Sequence, residues 1–217
     1  MLKDNSIIAV WKPRNIKSTE VVNLIRSKYS FKTGHAGTLD PFAEGILLVC
    51  TGSETKKVPE LHKLNKSYIA KIKLGQRTDT LDIDGTVIEK QSIPKITKKK
   101  LIEILGKFEG DIMQRPPSFS AIRRNNVRLY DLARKDVYIH VKPRQIQIEK
   151  ITLILFNKDV LKIEVTCGTG TYIRSLARDI GTSLKTCAYL QSLKRTRIGD
   201  FDDSNCIHLE SIRNETI

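Results

Sequence analysis

The chain is poor in the residues that build metal centres and covalent frameworks. It has four cysteines, Cys50, Cys167, Cys187 and Cys206, in 217 residues, too few and too widely spaced for a disulfide scaffold or a paired zinc knuckle, so reduced structural thiols are expected. Four histidines are equally scattered, with no His-Glu-x-x-His pair. The acidic stretch 79–84 has the look of a calcium loop, but Thr80 stands where the first ligand belongs and Gln91 where the closing glutamate belongs. No metal is expected. There is no Gly-x4-Gly-Lys-Ser/Thr loop, and Gly168-Thr169-Gly170 lacks a third glycine at dinucleotide spacing, so no nucleotide cofactor is implied. No apolar run approaches the roughly 20 residues that span a bilayer, and Met1-Leu2-Lys3-Asp4-Asn5 lacks the pattern of a signal peptide. A cytoplasmic location and no membrane partner are expected.

Acidic residues are also scarce. Against 38 Lys and Arg stand 24 Asp and Glu, a formal charge of +14, which favours a polyanionic partner because each neutralised phosphate releases condensed counterions. Nucleic acid is the natural candidate. With 40% hydrophobic residues the chain can bury a real core, as one domain or one domain with an insertion.

The most informative stretch is 34–45, Gly-His-Ala-Gly-Thr-Leu-Asp-Pro-Phe-Ala-Glu-Gly. It sets one carboxylate, Asp40, between glycines expected to allow bends or close approaches that a Cβ forbids. Pro41 fixes its own φ and keeps Asp40 out of the α region. That is how a chain aims a nucleophile or a base. An isolated Gly-Thr-Leu-Asp-Pro would read as an ordinary turn with Asp40 as its hydrogen-bonding residue.

The apolar pattern predicts an α+β protein, since strands and helices mix without strict βαβ alternation. Residues 7–11 and 45–51 read as buried strands. In 68–74, Tyr68, Ala70, Ile72 and Leu74 share one face and Lys71 and Lys73 the other, which turns Tyr68 inward. Leu161, Ile163, Val165 and Cys167 alternate likewise; beyond Gly170 the spacing becomes Ile173, Leu176, Ala177, Ile180, Leu184, a helical stripe with Arg174 in the first turn and off it. Helices are expected at 18–29 and 97–106, each opened by a residue able to cap, and Asp84-Gly85 signals a hairpin. Residues 122–144 carry seven basic against two acidic residues, with Tyr130 and Tyr138 interleaved. That composition suits unpaired bases and a folded phosphate backbone, although a solvated charged face has it too.

Residues 34–56 resemble the catalytic motif of the TruB family of tRNA pseudouridine synthases, bacterial type. The resemblance recurs in family order at Lys66-Ser67-Tyr68, 74–85, Pro116-Pro117-Ser118-Phe119-Ser120-Ala121, Gly170-Thr171-Tyr172-Ile173-Arg174 and 193–199, covering nearly all of 6–201. It implies a pseudouridine synthase fold, a mixed, mostly antiparallel central sheet flanked by helices. The catalytic domain would fill 1–217, with 114–145 as an RNA-binding insertion that closes on the RNA; bacterial members normally add a small C-terminal domain of the PUA type, and a departure from them, with no such domain, is expected here. The implied reaction converts uridine 55 in the TΨC loop of tRNA to pseudouridine on a flipped nucleotide, without a cofactor.

By the same resemblance Asp40 is the catalytic carboxylate, either adding to the nucleotide or driving glycal formation at the ribose, and Arg174 pairs with it. Tyr68 stacks on the uracil and helps remove the C5 proton, unless it is only core packing. His35 props the loop open or touches its phosphates, or is a structural histidine beside a turn. Asp82 is a polar contact or organiser of Arg174, Tyr172 lies near the nucleotide, and Leu193 is an apolar wall or ordinary core. Arg123, Arg124 and Arg128 are expected to contact the T-arm of tRNA, the implied partner, and a monomer is expected. Asn15, Asn126 and Asp136 stand at usual glycine positions and should tolerate left-handed angles, while Pro59 should shorten a helix. A guide-RNA-dependent synthase and a tRNA-folding chaperone with secondary catalysis are the alternatives.

Overall fold

The computed structural model describes residues 2–120, 122–124, 127, 128, 130, 133, 137, 139 and 141–215. In chain order the elements begin with β1 (Ile7–Lys12), α1 (Ser18–Tyr29), β2 (Thr33–Ala36), β3 (Glu44–Thr51) and a short α2 (Val58–Leu61) with Pro59 in its first turn. Then come β4 (Lys66–Leu74), β5 (Gln76–Thr78), β6 (Val87–Lys90), α3 (Lys98–Gly106), β7 (Gly110–Gln114), β8 (Arg123–Arg124) and β9 (Val127–Arg128). The last are β10 (Arg144–Asn157), β11 (Val160–Cys167), α4 (Ile173–Ser183), β12 (Ala188–Ile198), β13 (Cys206–His208) and α5 (Leu209–Asn214). The fold is α+β, a mixed central sheet flanked by helices.

The first of two compact units comprises residues 1–69, 166–169 and 193–217. Its spine is β3, buried on both faces and so without polar alternation. Strand β1 runs antiparallel along one edge, from Ile7 opposite Cys50 to Lys12 opposite Gly45. The other edge takes β2, antiparallel (Thr33 opposite Thr51), and the parallel end of β12 (Arg195 opposite Gly45). Alternation splits β1: Ile8 and Val10 pack with Val21 and Ile25 of α1 and Leu209 and Ile212 of α5, while Ala9 joins Ala36, Ile46, Leu48 and Ile198 on the opposite face. Helix α1 occupies the expected span, yet Ser18 does not cap it. Lys17 is the N-cap residue, and its N–H donates to Glu20 Oε1 (3.0 Å).

The second unit comprises 70–165 and 170–192. Here β10 pairs antiparallel with β7, Arg144 opposite Gln114, so the basic insertion lies between two paired strands. Strands β5 and β6 pair across the turn that contains Asp84-Gly85, and Thr97 caps α3 by accepting the Lys100 N–H. Helix α4 buries the expected Ile173, Leu176, Ala177 and Ile180. Asn15 has φ +65°, as its position required; Asn126 and Asp136 lie outside the described residues. Among the described residues no helix is long and apolar enough to cross a membrane.

Candidate active site

In the first unit the loop between β2 and β3 carries Asp40, and the connection between β1 and α1 grips that loop from both sides. Lys12 is fully buried, and its Nζ donates to the carbonyls of Pro13 (2.8 Å), Ile16 (2.9 Å), Pro41 (3.3 Å) and Ala43 (2.7 Å). The Asn15 N–H donates to the Pro41 carbonyl at 2.7 Å. The Ser18 hydroxyl accepts the Leu39 N–H (2.9 Å) and donates to the Leu39 carbonyl (3.0 Å). The backbone on both sides of Asp40 is thereby tied to a second segment, and the Ala43 N–H closes a turn onto the Asp40 carbonyl at 3.1 Å.

Arg195, 1% exposed, completes the hold from β12. Its Nε donates to the Ile46 carbonyl (2.7 Å), Nη2 to that of Gly37 (3.0 Å) and Nη1 to that of Thr38 (3.4 Å). Two glycines make this possible. Gly37 sits at φ +85°, and at Gly45, φ +118°, a Cβ would stand 2.2 Å from the Arg195 carbonyl oxygen. Gly34 is different: its φ is not left-handed and a Cβ there would meet nothing nearer than 3.9 Å. The expected need for glycine at 34 is therefore corrected.

Three buried cations thus border one loop: Lys12, Arg195 and Lys66, whose Nζ donates to the His62 and Leu64 carbonyls. Burial first, then the Arg195 charge, brings both lysine ammonium groups down to about 8, with Asp40 pulling Lys12 the other way. Tyr68 is buried on the inner face of β4, as the alternation predicted. Burial pushes its phenol up; the Arg195 guanidinium opposes the rise and the Asp40 carboxylate adds to it. His35 on β2 lies opposite Val49 and is half-buried, with Nδ1 lacking a hydrogen-bond partner. Burial holds its imidazole below the ordinary range, with Arg195 and His62 adding to the effect. Leu193 is buried on β12.

In the second unit Arg174 opens α4 with its side chain buried, not off the packed face as the stripe implied. Its Nη1 lies 3.2 Å from Asp82 Oδ2 and donates to the Thr80 carbonyl (3.1 Å); Nη2 donates to the Phe119 carbonyl (2.9 Å). Asp82 Oδ1 accepts from the Thr80 hydroxyl (2.6 Å) and the Asp84 N–H (3.1 Å). Between Thr80 and Asp82, Leu81 takes φ +64°, a costly angle for a branched side chain. Gln114 fixes the start of α4 by pairing both backbone groups of Tyr172: Oε1 accepts its N–H (2.8 Å) and Nε2 donates to its carbonyl (3.2 Å). Arg123, Arg124 and Arg128 belong to the β8–β9 ribbon, and their side chains lie outside what is described.

The residues left without a role by the sequence are Lys12, Lys66, Thr80, Gln114 and Arg195, and Ser18 was given a different one, that of a helix cap. A signal existed for two of them. Lys12 falls on the face of Ile8 and Val10, and Lys66 on the face of Tyr68 and Ala70, so the period of 2 already turned both charges inward.

The mixed central sheet flanked by helices is the fold of the pseudouridine synthase class. Two family models match residues 23–217: TruB family pseudouridylate synthase, N-terminal domain, over 23–173, and tRNA pseudouridylate synthase B C-terminal domain over 174–217. The tRNA pseudouridine synthase B of Clostridium tetani is 42% identical over 214 residues, 98% of this chain and 74% of that protein. That of Francisella philomiragia is 44% identical over 213, covering 96% and 70%. Among solved structures, a Cbf5–Nop10–Gar1 complex matches with a TM-score of 0.74 at 30% identity, over 95% of this chain and 53% of that one. An H/ACA RNP bound to a substrate RNA containing 2'-deoxyuridine matches with a TM-score of 0.71 at 27% identity, over 95% and 51%. The chain thus spans about half the length of those solved chains. It belongs to the TruB family of pseudouridylate synthases.

Proposed function

We propose that the chain is a stand-alone tRNA pseudouridine synthase, acting as a cytoplasmic monomer on uridine 55 of the TΨC loop. The observation that carries this reading is the immobilised Asp40 loop, tied by Lys12, Ser18 and Arg195 beside the buried Tyr68. Preorganisation of this kind is what a reaction on one extruded nucleotide requires. In the reaction the N1–C1' bond breaks, the detached uracil turns, and a C5–C1' bond forms; the proton leaving C5 is balanced by one gained at N1. Asp40 acts on the nucleotide, either at the base or through the ribose. Tyr68 stacks on the uracil and assists loss of the C5 proton. Arg174, braced by Asp82, serves the Asp40 carboxylate, since a guanidinium stays charged and presents a planar fork. His35, its Nδ1 open to a partner, meets the RNA loop, Tyr172 and Leu193 border the nucleotide, and Arg123, Arg124 and Arg128 hold the T-arm.

The test is incubation of the purified protein with an unmodified tRNA transcript, followed by carbodiimide treatment and primer extension. The reading predicts one stop, at position 55, without any guide RNA. A transcript that stays unmodified until a guide is added would overturn the stand-alone assignment.

A further inference from the structure

A cleft of about 330 Å³ in the second unit has no part in the site described above. It is lined by Arg77 of β5, Glu89 of β6, Arg178 and Thr182 of α4, and Lys185 and Thr186 in the turn that follows. Two polar atoms of these residues are buried with no hydrogen-bond partner, Nε of Arg77 and Oγ1 of Thr186, the latter in a residue only 3% exposed. Folded proteins rarely leave such groups unmet without a ligand, a water or a function. Other donors here are partly engaged: Arg77 Nη2 pairs with Glu89 at 2.7 Å, and Arg178 with Asp179 at 2.8 Å and with the Arg115 carbonyl at 3.0 Å. Lys185, held at φ +59° just past the helix, makes no ion pair among the described residues. Three cations meet one lining carboxylate, and the unmet N–H and O–H are both donors.

We propose that this cleft binds a phosphoryl group. Arginine and lysine together with a hydroxyl form the donor set that phosphate oxygens accept from, and the three elements that supply it surround a volume at the small end of ligand sites. The group is either a backbone phosphodiester of bound RNA or a free phosphoryl compound.

The experiment uses the full chain, the Thr186→Val variant and a Lys185→Gln, Thr186→Val double variant. Melting temperature is followed as inorganic phosphate replaces chloride at constant ionic strength. Thr186→Val alone should melt at or above the wild-type temperature in chloride, because the methyl replaces a hydroxyl that has no protein partner. Phosphate should raise the wild-type midpoint progressively, and the double variant should lose most of that rise. A phosphate response that is absent, or equal in wild type and double variant, overturns the proposal.

The source is then resolved by the salt dependence of tRNA transcript binding. A backbone phosphodiester predicts a slope of log K smaller by about one in the double variant, whereas an unchanged slope with the phosphate response intact assigns a free phosphoryl compound. The RNA arm rests on the proposed tRNA reading. The phosphate arm does not, so a protein that fails to modify tRNA yet shows the variant-sensitive phosphate response refutes only the former.

Discussion

Arg174 and Asp82 form an ion pair at 3.2 Å in which both side chains are less than a tenth exposed. Both members have further partners: the guanidinium also serves the carbonyls of Thr80 and Phe119, and the carboxylate also takes the Thr80 hydroxyl and the Asp84 N–H. Removing one member of a buried pair leaves the other charged and unmatched, at a cost of about 3–5 kcal/mol. Asp82→Ala should therefore lower stability by about that amount, read from urea unfolding, and slow single-turnover pseudouridine formation. Arg174→Lys keeps the charge but not the fork, so it should lose most turnover with a smaller stability loss. Near-normal rates in Arg174→Lys would return this arginine to a purely structural role.

The two glycines flanking the loop separate by their backbone angles. Gly45→Ala puts a Cβ into the Arg195 backbone and holds alanine at φ +118°, so the loss should exceed about 4 kcal/mol or prevent folding. Gly34→Ala has room and an ordinary angle and should change stability by about 0.5 kcal/mol at most. Circular dichroism with urea titration reads both. Equal losses would mean that the contact between Arg195 and Gly45 does not set the loop.

Lys12 gives a pH dependence with a definite sign. The unfolded chain keeps this proton to about 10.5, whereas the folded protein releases it near 8. Between those values the unfolded state binds more protons, and the contribution of Lys12 to stability rises with pH. Measured against Lys12→Met, wild type should gain about 1 kcal/mol between pH 7 and 9. The comparison cancels the opposite trend from Cys50, whose thiol burial pushes up to about 11. A gap that stays flat or narrows with pH would show that Lys12 remains protonated in its cage of carbonyls.

Much of the scaffold was legible because it follows from periodicity. The span of α1, the inward Tyr68 and the stripe of α4 each follow from spacing within one segment. What was not legible depends on contacts between distant segments. Ser18 looked like a helix cap because its type and place suit one, but its hydroxyl is used 21 residues away on Leu39. Gln114 mimics a strand neighbour for Tyr172, 58 residues on, and no local pattern marks a glutamine for that. Gly34 carried the signature of a required glycine only because its neighbours Gly37 and Gly45 are required. Asp40, Tyr68 and Arg174 were singled out by motif, while the cations that hold the Asp40 loop were seen only once the strands were paired.

The central claim is that one carboxylate, immobilised and aimed, does the chemistry. It is tested most directly by Asp40→Asn under single-turnover conditions with an unmodified tRNA transcript, alongside the equilibrium affinity for the same RNA. The amide keeps the shape of the side chain, so the account predicts no detectable pseudouridine, with Kd within about tenfold of wild type, or 1.4 kcal/mol. Turnover within about tenfold of wild type would contradict it.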